Sequence, residues 1–542
     1  MLVPAIEPGI ADTLGFFLDD WQPQTFTAPA HQEADVPATV AYTVTVDAAD
    51  IITKIPGAAF AHNANTWMTT MVDQPLLMEH IKQLRPHLIR FPGGSSSDVY
   101  FWNAQTDEIP ADAPPKLMDK DGNLKAPGYG FGRTNEAWRA SLDDYYRMLE
   151  LTGNRGILTV NYGYARYGTS ADPVAKAAQL AADWVRYDNG RTQYWEIGNE
   201  NYADWECGYR IDVAENKDAQ PEYITGQLYA RHFKVFANAM RKAAKEIGKT
   251  IYIGAVMQES EPEPWRVDSI KTWNAMLPEL DNQADFYIAH HYFTPYNSDS
   301  AAAEVLNAAI TVPANMMNYL RQTLQAAGAA IKPIAMTEWN MWASTRKQQV
   351  SNVSGVFALM VVAEAIKHQY GLAARWDLLN SWDEGNDHGM FSAGDEPGVD
   401  KWTPRPSFHY LYYFRKMLGD RLVSTLDPRG SSLKSYASTY SSGQTSIHIV
   451  NMGAVAESVE VRIRNFRMGS RFYWYCLEGS HDNGNFSRKV LVNGKGPAGI
   501  AGGPADYATL KAHSATTAGG LKVTVPPLGA VCLVVDTDSS GT

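Results

Sequence analysis

From about residue 57 onward, short apolar runs alternate along the chain with stretches whose apolar residues recur at helical spacing. Eight such runs stand out, at 58–62, 88–91, 156–161, 193–198, 250–256, 285–290, 333–337 and 374–379. Between them, the segments 74–84, 138–151, 173–187, 222–247, 313–327 and 353–369 carry the period of an amphipathic helix. Several open with helix-start signals such as Asp172-Pro173 and Pro221-Glu222. Strands that alternate with helices require crossover connections and a parallel sheet. Eight of them predict an α/β fold, a (β/α)8 TIM barrel, whose site lies at the C-terminal ends of the strands.

After about residue 415 the helical period disappears. Short alternating runs at 445–451, 458–463, 472–476 and 520–525, separated by glycine, serine and asparagine, predict a C-terminal β-sandwich. The run 41–47, placed ahead of the barrel, also alternates and is expected to pair with the C-terminal sheet. The expected organisation is therefore residues 1–50 contributing to the sandwich, 51–415 forming the catalytic barrel and 416–542 forming the sandwich. A proline- and glycine-rich insertion at 103–135 follows the second barrel strand and is a candidate wall of a cleft. Its turn Asp119-Lys120-Asp121-Gly122-Asn123 has some likeness to a calcium loop but lacks the downstream ligand pattern, and is read as a hairpin turn.

Composition narrows the classes of partner. The 542 residues are 45% hydrophobic and 11% aromatic, enough for a large core and two domains, and the formal net charge is -12. That charge argues against nucleic acid or an anionic membrane as partner, since both need clustered lysine and arginine. A neutral polysaccharide fits better, and 15 tryptophans and 28 tyrosines leave aromatics to spare for stacking on sugars. Cys207, Cys476 and Cys532 form no CxxC pair and imply neither a disulfide framework nor a zinc site. No stretch is long and apolar enough to span a bilayer. The start Met1-Leu2-Val3-Pro4-Ala5 has no basic segment followed by an apolar run, so the chain reads either as cytoplasmic or as secreted with its signal already removed. Oligomeric state is not legible.

The chemistry concentrates in two segments. Tyr194-Trp195-Glu196-Ile197-Gly198-Asn199-Glu200-Asn201 and Ala335-Met336-Thr337-Glu338-Trp339-Asn340-Met341-Trp342 each run an apolar strand into a glutamate flanked by asparagine and tryptophan. Alone, either glutamate reads equally well as a surface carboxylate. As a pair after strands four and seven of one barrel, Glu200 and Glu338 project into the same mouth, as an acid and a nucleophile acting on a glycosidic bond must. Strand alternation puts His290 and Tyr292 of His290-His291-Tyr292 on one face, with His291 an ordinary packed histidine. No metal-ligand spacing and no GxGxxG or GxxxxGK loop occurs, so neither metal nor other cofactor is expected.

These motifs, together with Arg90-Phe91-Pro92-Gly93-Gly94 on strand two, resemble the clan-A retaining glycoside hydrolases, and within them the family 51 α-L-arabinofuranosidases. The likeness covers the barrel from about Ala58 to Trp382 and extends to the sandwich that recruits N-terminal residues. The resemblance implies Glu200 as acid/base and Glu338 as nucleophile, with Glu200 expected to have a pKa raised above the ordinary value of about 4.3. It also implies Asn199 on the sugar hydroxyl beside the anomeric carbon and Tyr292 on the nucleophile. Arg90 would hold Glu338 ionised, His290 would meet substrate or back the carboxylates, and Trp339 and Trp382 would contact sugar. Asn199 as a loop cap, Arg90 as a structural ion pair and Trp382 as a core residue are the competing readings.

Two positions depart from the family. Where the arabinofuranosidases carry a sugar-binding glutamate after the first strand, this chain has Phe60-Ala61-His62-Asn63, and where they carry asparagine after the twin glycine it has Ser95. His62 and Ser95 are thus candidate substrate contacts of altered type. Since sites built around particular hydroxyls discriminate strongly, an endo-acting β-glucanase or xylanase stays open beside the arabinofuranosidase. A non-catalytic carbohydrate-binding protein is the alternative of a different class, which a matched pair of glutamates disfavours.

Overall fold

The computed structural model describes residues 3–296, 298, 300–342, 348–482 and 485–538. Eight strands close a parallel barrel: β1 (Ala61–Asn63), β2 (Leu88–Phe91), β3 (Arg155–Val160), β4 (Tyr194–Ile197), β5 (Tyr252–Val256), β6 (Phe286–Tyr292), β7 (Ile334–Asn340) and β8 (Leu372–Arg375). The ring closes where Ala374 and Arg375 of β8 pair with Ala61 and His62 of β1. Each expected run overlaps a strand. β6 and β7 run beyond their expected ends because their last residues pair with each other, His290 with Glu338 and Tyr292 with Asn340, so the strands carry their polar tips into the mouth.

The outer layer comprises α1 (Pro75–Leu84), α2 (Leu142–Thr152), α3 (Pro173–Asp188), α4 (Gly226–Glu246), α5 (Ala302–Ala326), α6 (Asn352–Lys367) and α7 (Pro406–Lys416). Local chemistry sets several of their starts. Ser141 and Asp144 form a reciprocal capping box on α2, and the side chains of Asp172 and Thr225 accept from the first turns of α3 and α4. Pro313, expected to open a helix, instead lies inside α5, where the Tyr370 hydroxyl donates to its carbonyl at 2.7 Å. α6 is apolar on every side because it is buried between the barrel and the sandwich.

The sandwich is an eleven-stranded sheet folded over on itself. Its strand Tyr42–Lys54 comes from the N-terminal part of the chain. It pairs antiparallel with Arg421–Leu426 and parallel with Glu457–Arg464. The strand Gly529–Thr537 shows how the layers share one chain. Val531, Leu533 and Val535 fill the interior of the sandwich, while Ala530, Cys532 and Val534 face the barrel. Each such buried valine or leucine contributes about 1.5–3 kcal/mol, so the sandwich is joined to the barrel by apolar packing. The three cysteines are unpaired, and among the described residues no helix is long and apolar enough to cross a membrane.

The insertion after β2 contains a two-stranded hairpin, Leu117–Met118 with Leu124–Lys125. The Asp119 carboxylate closes its turn by accepting from the backbone N–H groups of Asp121 and Asn123. With the loops after β3 and β4 this hairpin borders a cavity of about 480 Å³.

Candidate active site

At the centre of the mouth lies a buried guanidinium. Arg90, on β2, donates from Nε to Glu196 at 2.6 Å, from Nη1 to Glu338 at 2.8 Å and to Asn63 at 3.1 Å, and from Nη2 to Asn199 at 2.9 Å. Its planar fork therefore ties β1, β2, β4 and β7 together. Burial opposes its charge, but Glu196 and Glu338 outweigh burial and raise its pKa further. The twin glycine that follows has a definite role. Gly94 adopts φ +58°, and a Cβ there would lie 2.7 Å from the Trp376 ring, so the chain passes directly under that indole.

Glu338 lies within β7, where the pairing with β6 shifts register between Ala289 and His290. The shift leaves Thr337 and Glu338 opposite one residue, so both reach His290. His290 Nε2 meets the Thr337 hydroxyl at 2.9 Å and Nδ1 meets Glu200 Oε1 at 2.9 Å, with Glu338 Oε1 3.8 Å away. The Tyr292 hydroxyl donates to Glu338 Oε2 at 3.1 Å. The face shared by His290 and Tyr292 is thus the face that holds both carboxylates.

Glu200 follows β4 in a tight turn. Gly198 takes φ +79°, where a Cβ would collide with Asn201, and Glu200 itself takes φ +42°, a left-handed conformation rare outside glycine. Its side chain accepts from the Trp205 indole at 3.1 Å and contacts His290. The expected upward shift of its pKa is not what this geometry produces. Burial does raise it, but the His290 contact and the Trp205 hydrogen bond prevail and lower it, while His290 is itself raised because Glu338 and Glu200 overcome the cost of burial. The proton of the pair is drawn to the ring.

One oxygen from each of Glu200 and Glu338 and one nitrogen of His290 lie within 4.8 Å of one another. Sequence spacing held no ligand triad, yet the fold assembles three groups of metal-binding type. The Arg90 guanidinium beside Glu338 opposes a second cation there, so the donor set suits proton handling better than a metal.

An aromatic wall flanks the carboxylates. Trp342 stacks on Tyr292 with centroids 4.6 Å apart, and Tyr296 and His388 meet its edge. On the other side Trp205, half exposed, continues to Arg266 and the exposed Trp265.

Of the expected substrate contacts, Asn199 faces the centre but both ends of its amide are engaged, Oδ1 by Arg90 and Nδ2 by Glu206 at 3.0 Å. Ser95, exposed at the mouth, donates to the same Glu206 oxygen at 2.7 Å. His62 departs from its expected role. Alternation turns Asn63 inward and His62 toward Arg375 and Arg415, where burial and those charges lower its pKa to about 3. Trp339 also points away from the mouth: it is fully buried against Phe357 of α6, because its neighbour Glu338 takes the inward position. Trp382 is half-buried beneath Arg488 of the sandwich domain. His291 pairs with Glu259 at 2.9 Å.

Sequence reading passed over five groups. Glu196 and Asn63 anchor Arg90. Asp98 accepts from the Asn199 backbone and from Asn201, and burial pushes its pKa up to about 7. Glu206 is raised well above the carboxylate range, first by burial and then by Asp98 and Glu200. Trp342 forms the wall. Glu196 and Trp342 lay inside the two quoted motifs, and a glutamate in the interior of a strand already implied a buried partner.

Residues 80–307 match the family model described as the alpha-L-arabinofuranosidase 1 domain. A curated relative, a probable alpha-L-arabinofuranosidase C of Aspergillus terreus, is 22% identical over 301 residues, 50% of this chain and 51% of its own length. The match therefore spans about half of that relative. The alpha-L-arabinofuranosidase from Thermotoga maritima, solved with arabinose, superposes with a TM-score of 0.61 at 17% identity, covering 91% of this chain and 100% of its own. CelM2, a bifunctional glucanase-xylanase from a metagenome library, does so with a TM-score of 0.59 at 12% identity, covering 92% and 99%. The chain thus contains a segment matching the alpha-L-arabinofuranosidase 1 domain, within a barrel-and-sandwich fold that it shares with solved arabinofuranosidases and with a glucanase-xylanase.

Proposed function

We propose that this protein is a retaining glycoside hydrolase acting on α-L-arabinofuranosides by double displacement, with Glu338 as nucleophile and Glu200 as acid/base. The observation that carries this is that one oxygen of Glu200 and one of Glu338 lie within 4.8 Å of each other across the mouth. Retaining enzymes hold them about 5–5.5 Å apart, whereas inverting ones leave about 6.5–9.5 Å for a water.

In the first step a Glu338 oxygen bonds to the anomeric carbon as the glycosidic C–O bond breaks. The proton held on His290 Nδ1 passes through Glu200 to the leaving oxygen, so that Glu200 ends the step as a carboxylate and His290 as a neutral ring. In the second, water gives a proton back to Glu200, its oxygen bonds to the anomeric carbon and Glu338 departs as carboxylate. Arg90 and Tyr292 orient Glu338 by donating to its two oxygens, and Trp342 and Tyr292 offer faces for the sugar. The arabinofuranoside preference rests on the domain match over 80–307. A second reading, an endo-acting β-glucanase or xylanase, is favoured by Ser95 and the strand-one departure, and by the fold shared with a glucanase-xylanase.

The test is turnover of aryl glycosides and plant polysaccharides by wild type, Glu200→Ala and Glu338→Ala. Activity on an α-L-arabinofuranoside that falls about 10²–10⁴-fold in Glu200→Ala and disappears in Glu338→Ala is the expected result. Activity confined to β-glucan or xylan would keep the roles and replace the substrate. Turnover that survives loss of Glu338 would overturn the mechanism.

A further inference from the structure

At the end of the barrel opposite the carboxylates, a cavity of about 600 Å³ opens between the barrel and the sandwich. It is bounded by the turn before β1, the ends of α1 and α7, the segment 24–27 and Tyr440. Three cations line it, Arg85, Arg415 and Lys416, and no aspartate or glutamate does. This is unexpected in a protein with a net charge of -12, whose other cations commonly meet carboxylates.

Among the described residues none of the three has a carboxylate partner. Nη1 of Arg415 is buried with no protein acceptor in reach, while its guanidinium is fixed over the Phe60 ring at 4.9 Å. Lys416 lies 5.2–5.9 Å from the rings of Tyr475, Tyr412 and Tyr413. Burial and the charge of Arg85 together depress Arg415, to about 10, and lower Lys416. The ends of α1 and α7 favour cations, but that effect is weak and leaves the buried N–H unsatisfied. A buried donor without an acceptor is costly, and three like charges around one cavity repel.

We propose that this cavity binds a phosphate monoester of about sugar size. The phosphate would accept hydrogen bonds from Arg85, Lys416 and the accessible edge of the Arg415 guanidinium, since guanidinium forks match phosphate oxygens. The remaining volume, too large for a bare phosphate, is lined by Gln83, Thr27 and the Tyr412 ring, groups that suit hydroxyls and a sugar face.

Isothermal titration calorimetry of the full chain with a hexose 6-phosphate, inorganic phosphate and unphosphorylated hexose, against chloride at matched ionic strength, tests this. Saturable 1:1 binding of the hexose phosphate, weaker binding of phosphate and none of the neutral hexose are expected. Arg85→Gln and Lys416→Gln, at positions open enough to substitute without emptying the core, should each weaken binding at least about tenfold with unchanged circular dichroism. Equal affinity for inorganic phosphate would keep the anion site and make the free ion its occupant. Heats no larger than those of chloride, or binding that persists in both variants, would overturn it.

Discussion

Oε1 of Glu200 lies 2.9 Å from Nδ1 of His290, and this contact makes the two groups one proton-holding unit. With Glu200 lowered and His290 raised, the pair carries one proton across the interval between them, and the ring holds it. A barrel that kept Glu200 isolated in apolar surroundings would place the proton on the carboxyl. Here it resides one hydrogen bond away.

The sign of the pH dependence follows. His290 is raised above its ordinary value of about 6.5, so the unit keeps its proton past that pH and the alkaline limb of kcat/KM falls above it. The associated stabilisation is fully present below about 6.5 and is lost as pH rises through the raised value. In His290→Asn the raised imidazole is gone, and Glu200 is left with burial raising it against the Trp205 hydrogen bond and the Arg90 charge lowering it. The alkaline limb should move to lower pH and kcat should fall about a hundredfold. A pH–rate profile with an unmoved alkaline limb would remove His290 from the proton path.

Arg90 supports a stability prediction independent of activity. Removing its charge leaves Glu196 and Glu338 buried without compensation, so Arg90→Met should cost about 3–5 kcal/mol in urea unfolding. Adding Glu196→Gln removes one orphaned charge and should recover at least about 1 kcal/mol, with turnover still reduced because Glu338 keeps only its hydrogen bond from Tyr292. If the double variant is no more stable than the single one, the guanidinium is not what neutralises Glu196.

The barrel was legible because its strands and helices differ in period, and Glu200 and Glu338 because each ends or nearly ends a strand beside amide and aromatic residues. What escaped were properties of depth and register. Asn63 and His62 are adjacent and equally polar, and only the pairing of β1 with β2 and β8 decides which faces inward. Trp339 and Trp342 share a motif, yet alternation sends Trp339 into the core while Trp342 turns back onto Tyr292. The pKa of Glu200 departs from expectation because His290 is 90 residues distant in sequence and meets it only where the ends of β4 and β6 converge on one mouth of the closed barrel. Asp98 and Glu206 stand in loops without periodicity, where nothing local marks a buried carboxyl.

Glu206 offers a separate test of how Asn199 is set. Burial and the charges of Asp98 and Glu200 raise its pKa well above the carboxylate range, so it works as a neutral acceptor for Ser95 and for the Asn199 amide. Glutamine reproduces that acceptor without a charge, and Glu206→Gln should keep kcat/KM within about threefold. Alanine frees the amide to rotate away from Arg90, and loss of one charge-assisted or buried hydrogen bond of this kind costs about 1–3 kcal/mol, roughly tenfold or more in kcat/KM. If Asn199 acts on the hydroxyl next to the anomeric carbon, the penalty of Glu206→Ala should vanish on an aryl 2-deoxyarabinofuranoside, where wild type has already lost that bond. A penalty of the same size on both substrates would mean that Glu206 supports the loop after β4 as a whole and not the hydroxyl contact.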